Sequence, residues 1–221
     1  MHPSAPITTI VLATANPDKV RELSPLLERI SPRFRVTTLM DEGIRTEIEE
    51  TEETLEGNAL LKARAIFEML SERFPSMIAL ADDTGLEVDP LGGRPGVYSA
   101  RFAPTADGRK PTYEENVLHL LRELEGVEAR SARFRTVIAL RGTLPCHEGG
   151  RVFEHCEEGR VEGAITTAPE GTGGFGYDPV FRADATGRTF ASMNAEEKNA
   201  ISHRGLALRR TLSWLHTITK P

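Results

Sequence analysis

Residues 8–13, TTIVLA, form an unbroken β-branched and apolar run, and a capped segment with helical spacing follows at once. No other feature constrains the chain as much. Asn16 supplies an N-cap and Pro17 suits the first helical position. Val20, Leu23, Leu26, Leu27 and Ile30 then recur at helical intervals, which predicts strand–turn–helix, the opening of an α/β unit.

The remaining elements extend this reading. FRVTTL (34–39) predicts a second strand, and a helix from about Asn58 to Ser71 carries Leu60, Leu61, Ile66 and Leu70 on its apolar side. MIALA (77–81) predicts a buried strand ending at Asp82-Asp83, and Gly92 to Gly96 a turn-rich loop. Thr112 and Glu115 form a capping box before a helix with Val117, Leu121 and Leu124. FRTVIAL (134–140) and RVFEHC (151–156) read as paired strands, VEGAI (161–165) as a further strand, and Ser202 to Ile218 as a final helix striped by Leu208, Leu212 and Leu215. Strands alternate with helices early and pair antiparallel later, so the expectation is an α/β protein with a mixed sheet.

Composition narrows the function classes. The 221 residues are 39% hydrophobic and 27% charged, values of a globular chain, and suffice for one large domain or two joined lobes. A net charge of −6 argues against a general nucleic-acid binder. No apolar run is long enough to span a bilayer, and the N-terminal stretch lacks the basic region of a secretory signal. Cys146 and Cys156, with no CxxC, read as free structural thiols in a reduced cytoplasm.

Five stretches carry candidate chemistry, each beside a plainer reading. Thr14-Ala15-Asn16-Pro17-Asp18-Lys19 places a helix N-terminus and a lysine where phosphate would be welcome; an ordinary capped turn has the same letters. Residues 41–56 hold eight acids, a solvated face or a source of metal ligands such as Glu49 or Glu50. Asp82-Asp83, placed on a tight turn, repel unless a cation relieves them, or else Asp82 caps backbone and Asp83 faces water. The loop 171–179 combines glycines with Phe175 and Tyr177, fit for close approach to a base or for a tight turn with core aromatics. Lys198, His203 and Arg204 surround a predicted helix start, as phosphate and carbonyl contacts or as an exposed basic first turn. No HExxH, GxSxG or Cys–His arrangement is present.

In order, TANPDK (14–19), EETEETLEGNALLKAR (49–64), ADDTGLEVDPLGGRPGVYSARF (81–102), GTGGFGYDPVF (171–181) and EEKNAISHRG (196–205) closely resemble the inosine/xanthosine triphosphate pyrophosphatase family. The resemblance spans nearly the whole chain; Thr84 stands where many relatives carry Ser. It implies a curved mixed β-sheet with flanking helices, two lobes around a central cleft within a single domain over residues 1–221, and a cytoplasmic homodimer. It also implies Mg2+-dependent hydrolysis of ITP, dITP and XTP to the monophosphate and pyrophosphate. By residue, it implies Asp83 as general base and metal ligand, and Glu49, not separated from Glu50, as second metal ligand. Residues 14–19, Thr84, Phe175, Gly176, Tyr177, Asp178, Lys198, His203 and Arg204 are the implied nucleotide contacts. Lys19, Lys62 and Lys198 are candidates to offset phosphate charge, and Phe175 to stack on the base. Rival readings are a pyrophosphatase for modified pyrimidine triphosphates and a nucleotide sensor without turnover.

Overall fold

The computed structural model describes residues 7–27, 32–144, 150 and 152–219. The expected helical position Ile30, the strand residue Arg151 and the thiol of Cys146 lie outside these residues. In chain order the elements are β1 (Thr8–Leu12), α1 (Pro17–Leu27), β2 (Phe34–Thr38), α2 (Leu55–Leu70), β3 (Met77–Val88), β4 (Pro95–Gly96), α3 (Tyr113–Glu123), β5 (Ser131–Thr143), β6 (Val152–Ile165), β7 (Phe181–Ala183), β8 (Arg188–Thr189), α4 (Ala195–Ile201) and α5 (His203–Ile218). Short 3-10 turns add Asp89–Leu91, Ser99–Arg101 and Phe190–Ser192.

The eight strands form a mixed sheet in the order β2-β1-β3-β5-β6-β7-β8, with β4 folded back on β3. β1 pairs in parallel with β2 and with β3, as strands joined through helices do. β3–β4, β6–β7 and β7–β8 are antiparallel. The predicted mixed α/β architecture is therefore the observed one.

Contacts divide the chain into two compact units: residues 1–83, 137–157 and 207–221, and residues 84–136 and 158–206. The first has a core built from Ile10, Leu12, Ile78, Leu80, Ile138 and Leu140, closed by Leu23 and Leu27 of α1 and by Leu208 and Leu215 of α5. Alternate residues of the strands and helically spaced residues of α1 and α5 meet in this core, while β1 is buried along its whole length. The second unit is built around Phe134, Phe181 and Phe190, with Leu86, Val117, Leu120 and Tyr177. Among the described residues no helix is long and apolar enough to cross a membrane.

Two expectations and one of the plainer alternatives are corrected. Asp82 and Asp83 do not sit on a turn: β3 continues through them to Val88. Residues 161–165 are not a separate strand but the end of β6, which is long enough to include both predicted segments. Lys198, His203 and Arg204 do not form an exposed first turn: Lys198 lies on the short helix α4, α5 starts at His203, and all three side chains are buried.

Candidate active site

In the first unit, paired acids become tolerable because each has its own lysine. Neighbouring strand residues point to opposite faces. The Lys19 ammonium lies 3.1 Å from Asp82 Oδ2 and donates to the Asp82 carbonyl, whereas Lys62 Nζ lies 2.8 Å from Asp83 Oδ1 and 2.9 Å from Glu50 Oε1. Lys19 reaches this position from the first turn of α1, which Asn16 caps by accepting from the Asp18 and Lys19 backbone N–H groups. Lys62 projects from the buried side of α2, one turn after Asn58.

Asn58 also places Glu50. Its buried amide accepts from Glu52 N at 2.9 Å and donates to Glu52 O at 3.1 Å, while Thr54 caps α2 by accepting from Gly57 N. Gly57 permits the turn, since a Cβ there would come within 2.7 Å of Glu52 Cβ. The acid-rich segment is thereby tied to α2 just beyond Glu50, and Lys62 bridges Glu50 and Asp83.

Burial gives these groups unequal acidity. Burial pushes the Asp83 carboxyl up to about 6, against the pull of Lys62 and Lys19. Burial acts upward on Glu50 as well, but Lys62 and Lys19 outweigh it and hold that carboxyl below its ordinary range. Burial disfavours the charge on Lys62, yet Asp83, Glu50 and Asp82 keep its pKa raised. Asp83 is thus the carboxylate poised to take a proton near neutral pH. Among the described residues no three or more His, Cys, Asp or Glu side chains are grouped to enclose a metal. Two carboxylates suit a hard cation that completes its shell with water and phosphate oxygens.

The second unit gathers an aromatic ring and cations. Phe175 occupies a turn whose backbone is held by Asp178: the Phe175 N–H donates to Asp178 Oδ2 at 2.8 Å. Gly174, at φ 69°, leaves room for that carboxylate, because a Cβ there would stand 2.0 Å from it. The same Asp178 Oδ2 is 2.5 Å from Lys198 Nζ, and both side chains are buried. Lys198 Nζ and Arg204 Cζ lie 5.1 Å and 5.4 Å from the Phe175 ring centroid. Arg204 also donates to Thr84 Oγ1 at 3.2 Å, and Thr84 shares a 2.6 Å hydroxyl contact with buried Thr136. His203 is stacked on Phe134 with centroids 4.4 Å apart.

The structure distributes the expected residues unevenly. Glu50 joins Asp83 and Lys62, whereas Glu49 is exposed. Ala15 and Pro17 are exposed at the cap, Thr14 accepts from Asn16 N, and Asp18 pairs with Arg21. Tyr177 belongs to the core, its hydroxyl donating to the Ser99 carbonyl at 2.9 Å. Gly176 is half-buried beside Phe175 at φ 64°. Cys156 stays apart, its thiol pushed up to about 11 by burial and neighbouring acids. Thr136 was not anticipated; its only signal is a hydroxyl on the inward-facing side of β5, in step with Ala132 and Phe134.

The Ham1 family model matches residues 10–214. A Chlorobaculum tepidum protein named dITP/XTP pyrophosphatase is 58% identical over 209 residues, covering 94% of this chain and 92% of that protein. A Bacillus licheniformis protein of the same name is 47% identical, covering 91% and 94%. The structure of a HAM1 protein from Coxiella burnetii superposes with a TM-score of 0.78 at 33% identity, covering 96% of this chain and 99% of that one. Sequence across nearly the full length and fold agree, and the chain belongs to the Ham1 family.

Proposed function

We propose that this chain hydrolyses noncanonical purine nucleoside triphosphates (ITP, dITP and XTP) to the monophosphate and pyrophosphate, clearing them from the nucleotide pool. The observation that carries the reading is the Asp83–Lys62–Glu50 cluster, a buried acid of raised pKa beside a charged lysine and a half-buried second carboxylate. The names of the relatives above supply the substrate class.

Asp83 accepts the proton of a water that attacks the α-phosphorus. The bond from that phosphorus to its bridging oxygen breaks, and pyrophosphate leaves. Asp83 and Glu50 are the residues that hold Mg2+ in this reading, with Glu50 preferred over the exposed Glu49. When bound, the ion supplies charge neutralisation over the phosphate oxygens. Lys19 and Lys62, already within reach of the carboxylates, offset further phosphate charge, and residues 14–18 border it. Pairing with the acids positions both lysines before substrate arrives and keeps Lys62 charged, which favours a transition state built on electrostatic stabilisation.

The second unit's residues read the base. Phe175 is the stacking surface, with Arg204 and His203 as donors to the oxygen at C6 of hypoxanthine or xanthine. Adenine carries an amino donor at that position and would leave these donors unpaired, a mismatch that polar sites reject by orders of magnitude. Thr84 and Lys198 are further substrate contacts. Tyr177 and Asp178 act behind Phe175 and Lys198, supporting the turn. A homodimer acting in the cytoplasm completes the proposal; sedimentation equilibrium tests the dimer.

The deciding experiment measures pyrophosphate and orthophosphate release with Mg2+ from inosine, xanthosine, guanosine, adenosine and methylated-pyrimidine triphosphates. Pyrophosphate from the inosine and xanthosine forms, with little from ATP or GTP, is expected. Orthophosphate alone would move the attack to the γ-phosphate and overturn the mechanism.

A further inference from the structure

We infer that Tyr113 is a positioning residue for the base, acting by bracing the Phe175 ring. The inference rests on the assignment of Phe175 as the stacking surface. Tyr113 opens α3, and its ring centroid lies 5.7 Å from that of Phe175 with the planes inclined by 42°. That is the separation of an interacting aromatic pair. Tyr113 is 42% exposed, too open to belong to the unit's apolar core.

Its position is built rather than incidental. Thr112 caps α3 by accepting from Glu115 N, and the Glu115 carboxylate accepts from Thr112 N at 2.7 Å. Arg109 grips the two Glu115 carboxylate oxygens at 2.8 Å and 2.5 Å. Tyr113 and Glu114 are the two residues between cap and clamp, so the clamp fixes where the Tyr113 ring emerges. Phe175 needs an outside support because its chain neighbours Gly174 and Gly176 both have positive φ, a backbone with little intrinsic stiffness. Asp178 fixes the Phe175 backbone N–H, and Tyr113 contacts its ring. A ring held before binding spares the ordering cost that a loose side chain imposes on association.

Removing the brace should weaken binding of the base and leave the phosphate chemistry alone. For Tyr113→Ala, KM for inosine triphosphate should rise about 2- to 12-fold, the range of one aromatic pair, with kcat within about twofold. Tyr113→Phe, which keeps the ring, should retain the normal KM. In a Phe175→Ala background the Tyr113→Ala change should have no further effect, since it acts through that ring. Where turnover in that background is too slow to read, the shift in thermal midpoint caused by inosine triphosphate gives the same comparison.

An unchanged KM in Tyr113→Ala, an equal loss in the Phe175→Ala background, failure of Tyr113→Phe to restore binding, or a fall in kcat alone would each overturn the inference. A wild-type protein that released no pyrophosphate from inosine triphosphate would instead remove the function reading and this inference with it. A wild-type protein that turns over normally while Tyr113→Ala is silent removes the inference alone.

Discussion

At the scale of single residues, the proposed chemistry turns on Asp83, a carboxyl that burial makes hard to ionise. Removing this proposed proton acceptor by Asp83→Asn should lower kcat by about 10²- to 10⁴-fold while the fold persists, checked by steady-state kinetics and circular dichroism. The same variant tests the acidity. A carboxyl raised to about 6 from its ordinary 3.8 binds its proton more tightly in the folded chain. Its contribution to stability is therefore greatest below pH 3.8 and declines as pH rises from there to 6. In metal-free buffer, the thermal midpoint of wild type minus that of Asp83→Asn should fall across that window; a flat difference would show that Asp83 titrates normally. The sequence put forward Asp83 and the glutamate pair as candidates, and the structure brings Glu50 rather than Glu49 to Lys62. Glu49 and Glu50 differ by which way one residue of an irregular segment points, and no periodicity governs that. Lys62 was more legible than it looked, because it shares the buried stripe of α2 with Asn58, Ala59 and Ile66.

At the scale of elements, supports decide where functional groups sit. Asn58→Ala strips the two bonds that tie Glu52 to α2, at a cost of about 1–3 kcal/mol for the groups left unsatisfied. It should also raise the Mg2+ concentration needed for half-maximal activity, because Glu50 loses its anchorage; normal Mg2+ dependence would separate Glu50 from the metal. Gly174→Ala forces a side chain into positive φ and against Asp178. It should cost about 1–2 kcal/mol from the conformation alone and raise KM more than it lowers kcat. Element type was largely readable: the β1–α1 unit, the capping box of α3 and the apolar stripe of α5 were all expected from spacing. Length was not. β3 carries on through Asp82 and Asp83 because lysines contributed by α1 and α2 neutralise them, and contacts with helices distant in sequence leave no mark on a local pattern.

At the scale of the molecule, two apolar cores are threaded by common strands. β3, β5 and β6 each contribute residues to both units, so no linker separates them. Unfolding is expected to be a single transition, with the calorimetric enthalpy equal to the van't Hoff value; an excess of the calorimetric value would show units that melt separately. The chain also distributes its chromophores usefully for that question. Its one tryptophan, Trp214, lies in the first unit, flat against His155 at 3.8 Å and near Phe153, while its three tyrosines, Tyr98, Tyr113 and Tyr177, all lie in the second. Indole emission excited at the red edge therefore follows one half of the molecule, and phenol absorbance the other. The native protein carries a separate optical channel for each unit, without any label attached.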